Sequence, residues 1–148
     1  MIRLRTSNME ELERFDQMDR QGHAENFVLP TGIEKHRQYF SDPDITYLSI
    51  ENSNGEVCGY FILVREEQSG SVEFRRIIID HGHRGIGQAA IIKMEEYCQT
   101  RLSATRVWLD VFHDNDIGIH IYEKLGYVRF DSKNLENRKL LFYEKSLP

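Results

Sequence analysis

Three groups of residues in this chain have the types and spacings that chemistry needs. The first is Arg84-Gly85-Ile86-Gly87-Gln88-Ala89, set between a hydrophobic run and an amphipathic one. Backbone N–H groups at a helix start have no partner inside the helix and lie at the positive end of its dipole. Glycines there let the main chain turn tightly and approach a ligand. The turn is therefore either a plain strand-to-helix connection or a seat for a phosphate or pyrophosphate. The second group is Asn115, followed seven residues later by Tyr122 and then by Gly126-Tyr127. The third is Glu73, a carboxylate within the otherwise apolar stretch around Val72, Phe74 and Ile77. A glutamate in such a strand needs a reason: an ion pair with Arg75 or a neighbouring strand, or work as a base.

Elements must position these groups. Ile2 and Leu4 alternate with Arg3 and Arg5, a short strand with one buried face. Ser7-Asn8-Met9-Glu10 reads as a capping box opening a helix to about Arg20, and Thr31-Gly32-Ile33-Glu34 as a second box opening a helix to about Phe40. Three strands follow, from 45 to 50, 57 to 64 and 72 to 79, with Asn52-Ser53-Asn54-Gly55 as a hairpin signal between the first two. Ile77-Ile78-Ile79 reads as burial on both faces. Strand alternation puts Glu73, Arg75, Ile77 and Ile79 on one face and Val72, Phe74, Arg76 and Ile78 on the other. Ile91, Met94, Cys98 and Leu102 fall at helical spacing, which predicts a helix over 86–101. A strand over 106–112, a helix over 115–125 closed by Gly126, and two strands over 127–131 and 138–145 complete the order. The expected fold is α/β (α+β): one domain over 1–148, a mixed, mostly antiparallel sheet of about seven strands and about four helices.

Order argues against one reading of the glycine turn, which stays as the lesser alternative. Gly85-Ile86-Gly87-Gln88-Ala89-Ala90 fits the dinucleotide pattern G-x-G-x-x-A, with Asp110 at about the expected distance downstream. A dinucleotide fold carries that turn after its first strand, and here three hairpin-linked strands precede it. Composition excludes more. The 148 residues carry a net charge of −5 without a basic block, which argues against nucleic acid as a partner. No apolar run approaches ~18 residues, so no membrane span is expected. Cys58 and Cys98 are too few for a disulfide framework, and the start of the chain has no leader pattern, so the cytoplasm is the expected compartment. His23, His36, His113 and His120 show no metal-ligand spacing, and no metal is expected.

Taken together, the motifs resemble the Gcn5-related N-acetyltransferase (GNAT) superfamily over nearly the whole chain. Its pyrophosphate pattern, Q/R-x-x-G-x-G/A, fits Arg84-x-x-Gly87-x-Ala89 at every position. Gly82-x-x-Gly85-x-Gly87 fits the helix register better but lacks the Gln or Arg. Asn115, Tyr122 and Gly126-Tyr127 match the second family pattern, with Gly118 where Ala is common. Val72-Glu73-Phe74-Arg75-Arg76-Ile77 looks like a subgroup carrying Glu-Leu-Arg-Arg there, which implies no single acceptor.

The resemblance implies an acyltransferase moving acetyl from acetyl-coenzyme A to a primary amine of a small molecule or peptide, by a monomer or homodimer. It places the coenzyme on Ile77, Ile78 and Ile79, on the amides of Arg84, Gly85, Ile86, Gly87, Gln88 and Ala89, and on Asn115 and Tyr122. Tyr122 is then the acid that protonates the leaving sulfur, or else one more core aromatic. Asn115 binds the pantetheine arm or caps its helix. Glu73 is the candidate base, acting directly or through water, and a contact of the acceptor. The acceptor wall falls between Asp16 and Phe40, with Glu25 and Phe27 as its weakest-marked candidates. Cys98 reads as packing on the helix stripe. A binding module without catalysis is the alternative from another class.

Overall fold

The computed structural model describes residues 1–21, 31–83 and 85–148. Seven strands form one sheet: β1 (Arg3–Thr6), β2 (Ile45–Glu51), β3 (Val57–Glu66), β4 (Ser71–Ile79), β5 (Arg106–Phe112), β6 (Val128–Asn134) and β7 (Lys139–Ser146), in the order β1-β2-β3-β4-β5-β7-β6. Every pairing is antiparallel except β4 with β5. Four α-helices lie among the described residues: α1 (Leu12–Asp19), α2 (Ile33–Ser41), α3 (Gly87–Arg101) and α4 (Asp116–Lys124). The element order and the mixed sheet agree with the sequence reading.

The two faces bury different cores. Val72, Phe74, Ala90, Ile91, Met94, Cys98, Leu109 and Tyr127 belong to one, with the stripe of α3 at its centre. On the other face Phe15 and Met18 of α1 meet Tyr47, Tyr60, Ile62 and Ile78. Ile78 thus faces one core while Ile77 and Ile79 pack on the other, as the apolar run of β4 predicted.

Strict alternation along β4 fails. Ile62 pairs with Arg76 but Leu63 with Phe74, so Arg75 is the extra residue of a β-bulge. A bulge shifts the side-chain period by one. Ile77 and Ile79 therefore join Val72 and Phe74 on the α3 face, and not Glu73 and Arg75 as two-residue periodicity predicts. Close packing of β3 on β4 also depends on a glycine. A Cβ on Gly59 would stand 2.4 Å from the Ile78 carbonyl oxygen, a contact that backbone would have to yield to.

Both helix starts shift by one residue, and only the first keeps a capping box. Asn8 precedes the first turn and its N–H donates to the Glu11 carboxylate at 3.0 Å, while Ser7 instead meets the Ser49 hydroxyl at 2.7 Å. Gly32, at φ 87°, replaces Thr31 as the residue before α2. The last hairpin is longer than predicted, since β6 runs on to Asn134. All seven residues of that edge strand are exposed, and its added end, Ser132-Lys133-Asn134, has no apolar residue to read.

Candidate active site

The one parallel pairing is short. β4 and β5 are in register at Ser71–Arg106, Val72–Val107 and Glu73–Trp108, and then separate. Beyond that point β4 continues against β3, and β5 against β7. The separation opens a cleft of about 510 Å³, walled by Phe74, Ile77, Gly87, Asp110, Asn115 and Tyr122 among others.

At the far end of β4 the chain turns through Gly82 (φ 94°) and Gly85 (φ 104°) into α3. The first intrahelical bond runs from Ala90 N–H to the Ile86 carbonyl at 2.9 Å, so the amides of Gly87, Gln88 and Ala89 lie ahead of it. A Cβ built at Gly82, Gly85 or Gly87 meets no atom of the described residues within 4 Å. The space over this helix start is therefore open, and together with the unpaired amides it suits a phosphate-bearing ligand.

Most of the predicted cofactor set converges here. Ile77, Ile78, Ile79, Gly85, Gly87, Gln88, Asn115 and Tyr122 all line the cleft. Ile86 does not, because its side chain packs into the α3 core, and Ala89 points to solvent on the outer side of the first turn. Arg84, Glu25 and Phe27 lie outside the described residues. Asn115 caps α4, its Oδ1 accepting the Gly118 N–H at 3.0 Å. Its Nδ2 has no partner among the described residues, so capping leaves a donor at the cleft. Gly118 makes this possible: a Cβ there would stand 2.8 Å from that Nδ2.

Tyr122 packs edge-on to Phe74 and Tyr127. The buried tyrosines Tyr47, Tyr60, Tyr127 and Tyr143 all engage their hydroxyls, with His36, Asp19, Glu95 and Glu123 respectively. The Tyr122 hydroxyl makes no hydrogen bond among the described residues. Desolvation, and then the charge of Asp110, push its pKa up to about 12. The phenol therefore keeps its proton at neutral pH.

Glu73 lies outside the cleft lining. Both of its oxygens are held by Arg75, at 2.8 and 3.2 Å, and that guanidinium stands 5.4 Å over the Tyr39 ring. The ion-pair reading of Glu73 is thus realised in this state. The carboxylate that does line the cleft is Asp110, on β5. Desolvation and the Glu73 charge raise its pKa above the ordinary carboxylate value, against a lowering from Arg75. Sequence reasoning met Asp110 only as a dinucleotide acid. Its real signal was strand alternation, since Val107, Leu109 and Val111 are buried and Asp110 must face the other way.

Cys98 is buried in the core, where desolvation pushes its thiol up to about 12, so it is no nucleophile. One group that linear spacing could not reveal is Asp16, Asp19 and His36, whose ligand-type atoms lie within 4.8 Å of one another. His36 is already committed on both nitrogens, to Asp19 at 2.8 Å and to Tyr47 at 2.6 Å, and the Arg76 guanidinium also sits on Asp19. Those bonds leave the donors poorly disposed toward a cation.

The parting strand pair, the glycine-lined helix start and a phenol with no hydrogen bond among the described residues lie together, where the family resemblance places them. The model of the acetyltransferase (GNAT) family matches residues 7–127, and the chain belongs to that family. An acetyltransferase of Pectobacterium atrosepticum is 31% identical over 106 residues, covering 72% of this chain and 73% of that protein. Among solved structures, spermidine N-acetyltransferase from Vibrio cholerae in complex with CoA and spermine superposes with a TM-score of 0.85 at 18% identity, over 98% of this chain and 95% of that one. A dodecameric structure of the same enzyme in an intermediate state gives 0.80 at 18% identity, over 98% and 93%. At that identity the likeness is one of fold.

Proposed function

We propose that this acetyltransferase moves an acetyl group from acetyl-coenzyme A to a primary amine of a small molecule or peptide, by direct attack in a ternary complex. The observation that carries the reading is the Tyr122 hydroxyl, which has no hydrogen bond among the described residues, lies in the cleft where β4 and β5 part and feels the charge of Asp110. The coenzyme supplies the activated acyl group. The amides at the start of α3 hold its phosphates, and the Asn115 Nδ2 and the β4 segment Ile77–Ile79 hold its arm.

An alkylamine has a pKa of roughly 10 and arrives as an ammonium. Asp110 accepts the proton from that nitrogen, since it lines the cleft while Glu73 is occupied by Arg75. Glu73 contributes through its charge, which raises the basicity of Asp110. Tyr122 donates to the sulfur as the C–S bond breaks, and the second proton released by the acylated nitrogen restores the phenol. A thiolate near pKa 8.5 is a weaker base than a phenolate near 12, so complete transfer is uphill by several kcal/mol from the free phenol. Positive charge developing on the attacking nitrogen in the same cleft lowers that cost. Glu25 and Phe27 belong to the proposed acceptor wall. The Vibrio enzyme is named for spermidine, so polyamines enter the acceptor panel.

Calorimetric titration with coenzyme A, followed by a thiol-release assay across polyamines, amino acids, aminoglycosides and peptide N-termini, tests the reading. Binding together with acceptor-dependent thiol release is expected. Binding without release by any amine would point to a module that does not catalyse, and no binding would end the proposal.

A further inference from the structure

Beyond Glu73, β4 has lost its neighbour on the β5 side, yet Ile77–Ile79 is the segment that lines the cleft. Helix α1 supports it from the opposite face. Phe15 and Met18 pack in one buried cluster with Ile78. On one side of Ile78, Arg76 Nη1 donates to Asp19 Oδ2 at 3.1 Å. On the other, Arg14 donates to Asp80. Gln21, two residues past the helix, completes the second contact. Its Nε2 donates to Asp80 Oδ1 at 2.5 Å, and its Oε1 accepts the His81 N–H at 3.0 Å.

The pairs run in opposite directions along the two elements, 14 then 19 on the helix against 80 then 76 on the strand. They bracket the three isoleucines and fix the root of the glycine turn. Helix propensity does not explain Asp19, because an acid at the last residue of α1 opposes the helix dipole. A buried pair such as Asp19–Arg76 contributes geometry more dependably than stability.

We propose that Arg14, Gln21 and Asp80, with the Asp19–Arg76 pair, form a brace by which α1 presets the coenzyme strand and the root of the phosphate turn. Arg14, Gln21 and Asp80 are positioning residues: none of the three lines the cleft. The inference rests on coenzyme A being the ligand of this cleft. Binding lost through the brace falls on affinity for the coenzyme, because a misplaced strand must be restored each time the ligand enters.

The test is calorimetry with coenzyme A on the full chain, which needs no acceptor. Arg14→Met and Gln21→Ala should each weaken binding by roughly tenfold, a typical coupling magnitude. Arg14→Asp should weaken it further, and adding Asp80→Arg should restore part of the loss. Arg5→Met removes ion pairs with Glu11, just ahead of α1, and with Glu51 on β2, and serves as a control for general destabilisation. Its coenzyme affinity should match the parent. Parental affinity in folded Arg14→Met and Gln21→Ala would overturn the brace, as would an equal loss in Arg5→Met. Asp19→Asn is avoided because it risks the fold. No binding by the parent protein would instead overturn the functional reading, and this inference with it.

Discussion

The ring of Tyr122 stands edge-on to that of Phe74, their centroids 5.9 Å apart and their planes at 84°. The contact links α4 to β4 at the point where the sheet opens, and it involves the ring alone. Tyr122→Phe should therefore keep the packing and lose only the donor. Turnover should fall on the order of 10²-fold, about 2.7 kcal/mol of transition-state stabilisation. Coenzyme affinity should change far less, since the charge on sulfur develops only in the transition state. Steady-state kinetics with the identified acceptor, beside calorimetry, separates the two. A loss confined to KM would make Tyr122 a binding residue.

Asp110 predicts the pH profile. Its pKa is raised by desolvation and Glu73, so the acid limb of kcat/KM should lie above the ordinary aspartate value of about 3.9. Above that limb the profile should be flat up to the acceptor's own amine pKa, about 10 for an alkylamine, because an ammonium acceptor is deprotonated on the enzyme. Tyr122 stays protonated across this range and adds no limb. Asp110→Asn should be slower and should follow free amine in solution, rising about tenfold per pH unit. A flat profile in the variant would place the base elsewhere, with Glu73 the next residue to change.

Stability at low pH should depend on Glu11. Burial raises its pKa, but Arg5, the Asn8 N–H and Ser49 outweigh that and bring it below the usual carboxylate value. A lowered folded pKa gives stability that is present above the unfolded value, about 4.3, and lost as pH falls through the folded one. Glu11→Gln should cost about 1–2 kcal/mol at pH 7, and the difference should shrink progressively as pH falls below the unfolded value toward the lowered folded one. Urea unfolding at pH 7 and at pH 2.5 measures it. An equal deficit at pH 2.5 would mean that the loss is steric.

Sequence legibility followed what each element buries. The stripe of α3 and the two-faced run Ile77-Ile78-Ile79 were readable because apolar residues must recur at the period of the element that hides them. β6 was not fully readable, because an exposed edge strand has no such constraint. Within the site, Tyr122 and the glycine turn were legible as motifs, whereas the choice between Glu73 and Asp110 was not. That choice depends on a bulge at Arg75 and on where β4 and β5 separate, and neither leaves a local pattern in composition. The partners of Asp19 likewise come from four other elements: His36 on α2, Tyr60 on β3 and Arg76 on β4 directly, with Tyr47 on β2 reached through His36.

Gly87 separates the two readings of the turn. It is the first residue of α3, and a Cβ there meets none of the described residues within 4 Å, so a side chain would project over the helix start. Unlike Gly82 and Gly85, it does not have positive φ, so substitution brings no backbone strain. A glutamate at the first helical position is moreover favoured by the dipole. Gly87→Glu should therefore fold, with a melting temperature near that of the parent. It should lose coenzyme A binding by more than tenfold, because its carboxylate takes the phosphate position and repels the ligand. Gly87→Ala should bind with an intermediate loss, from bulk without charge. Thermal shift with coenzyme A reads both, since a ligand that binds the folded state alone raises the melting temperature. Undiminished shifts in folded Gly87→Glu would leave the turn as a strand-to-helix connection and move the phosphates to another part of the cleft.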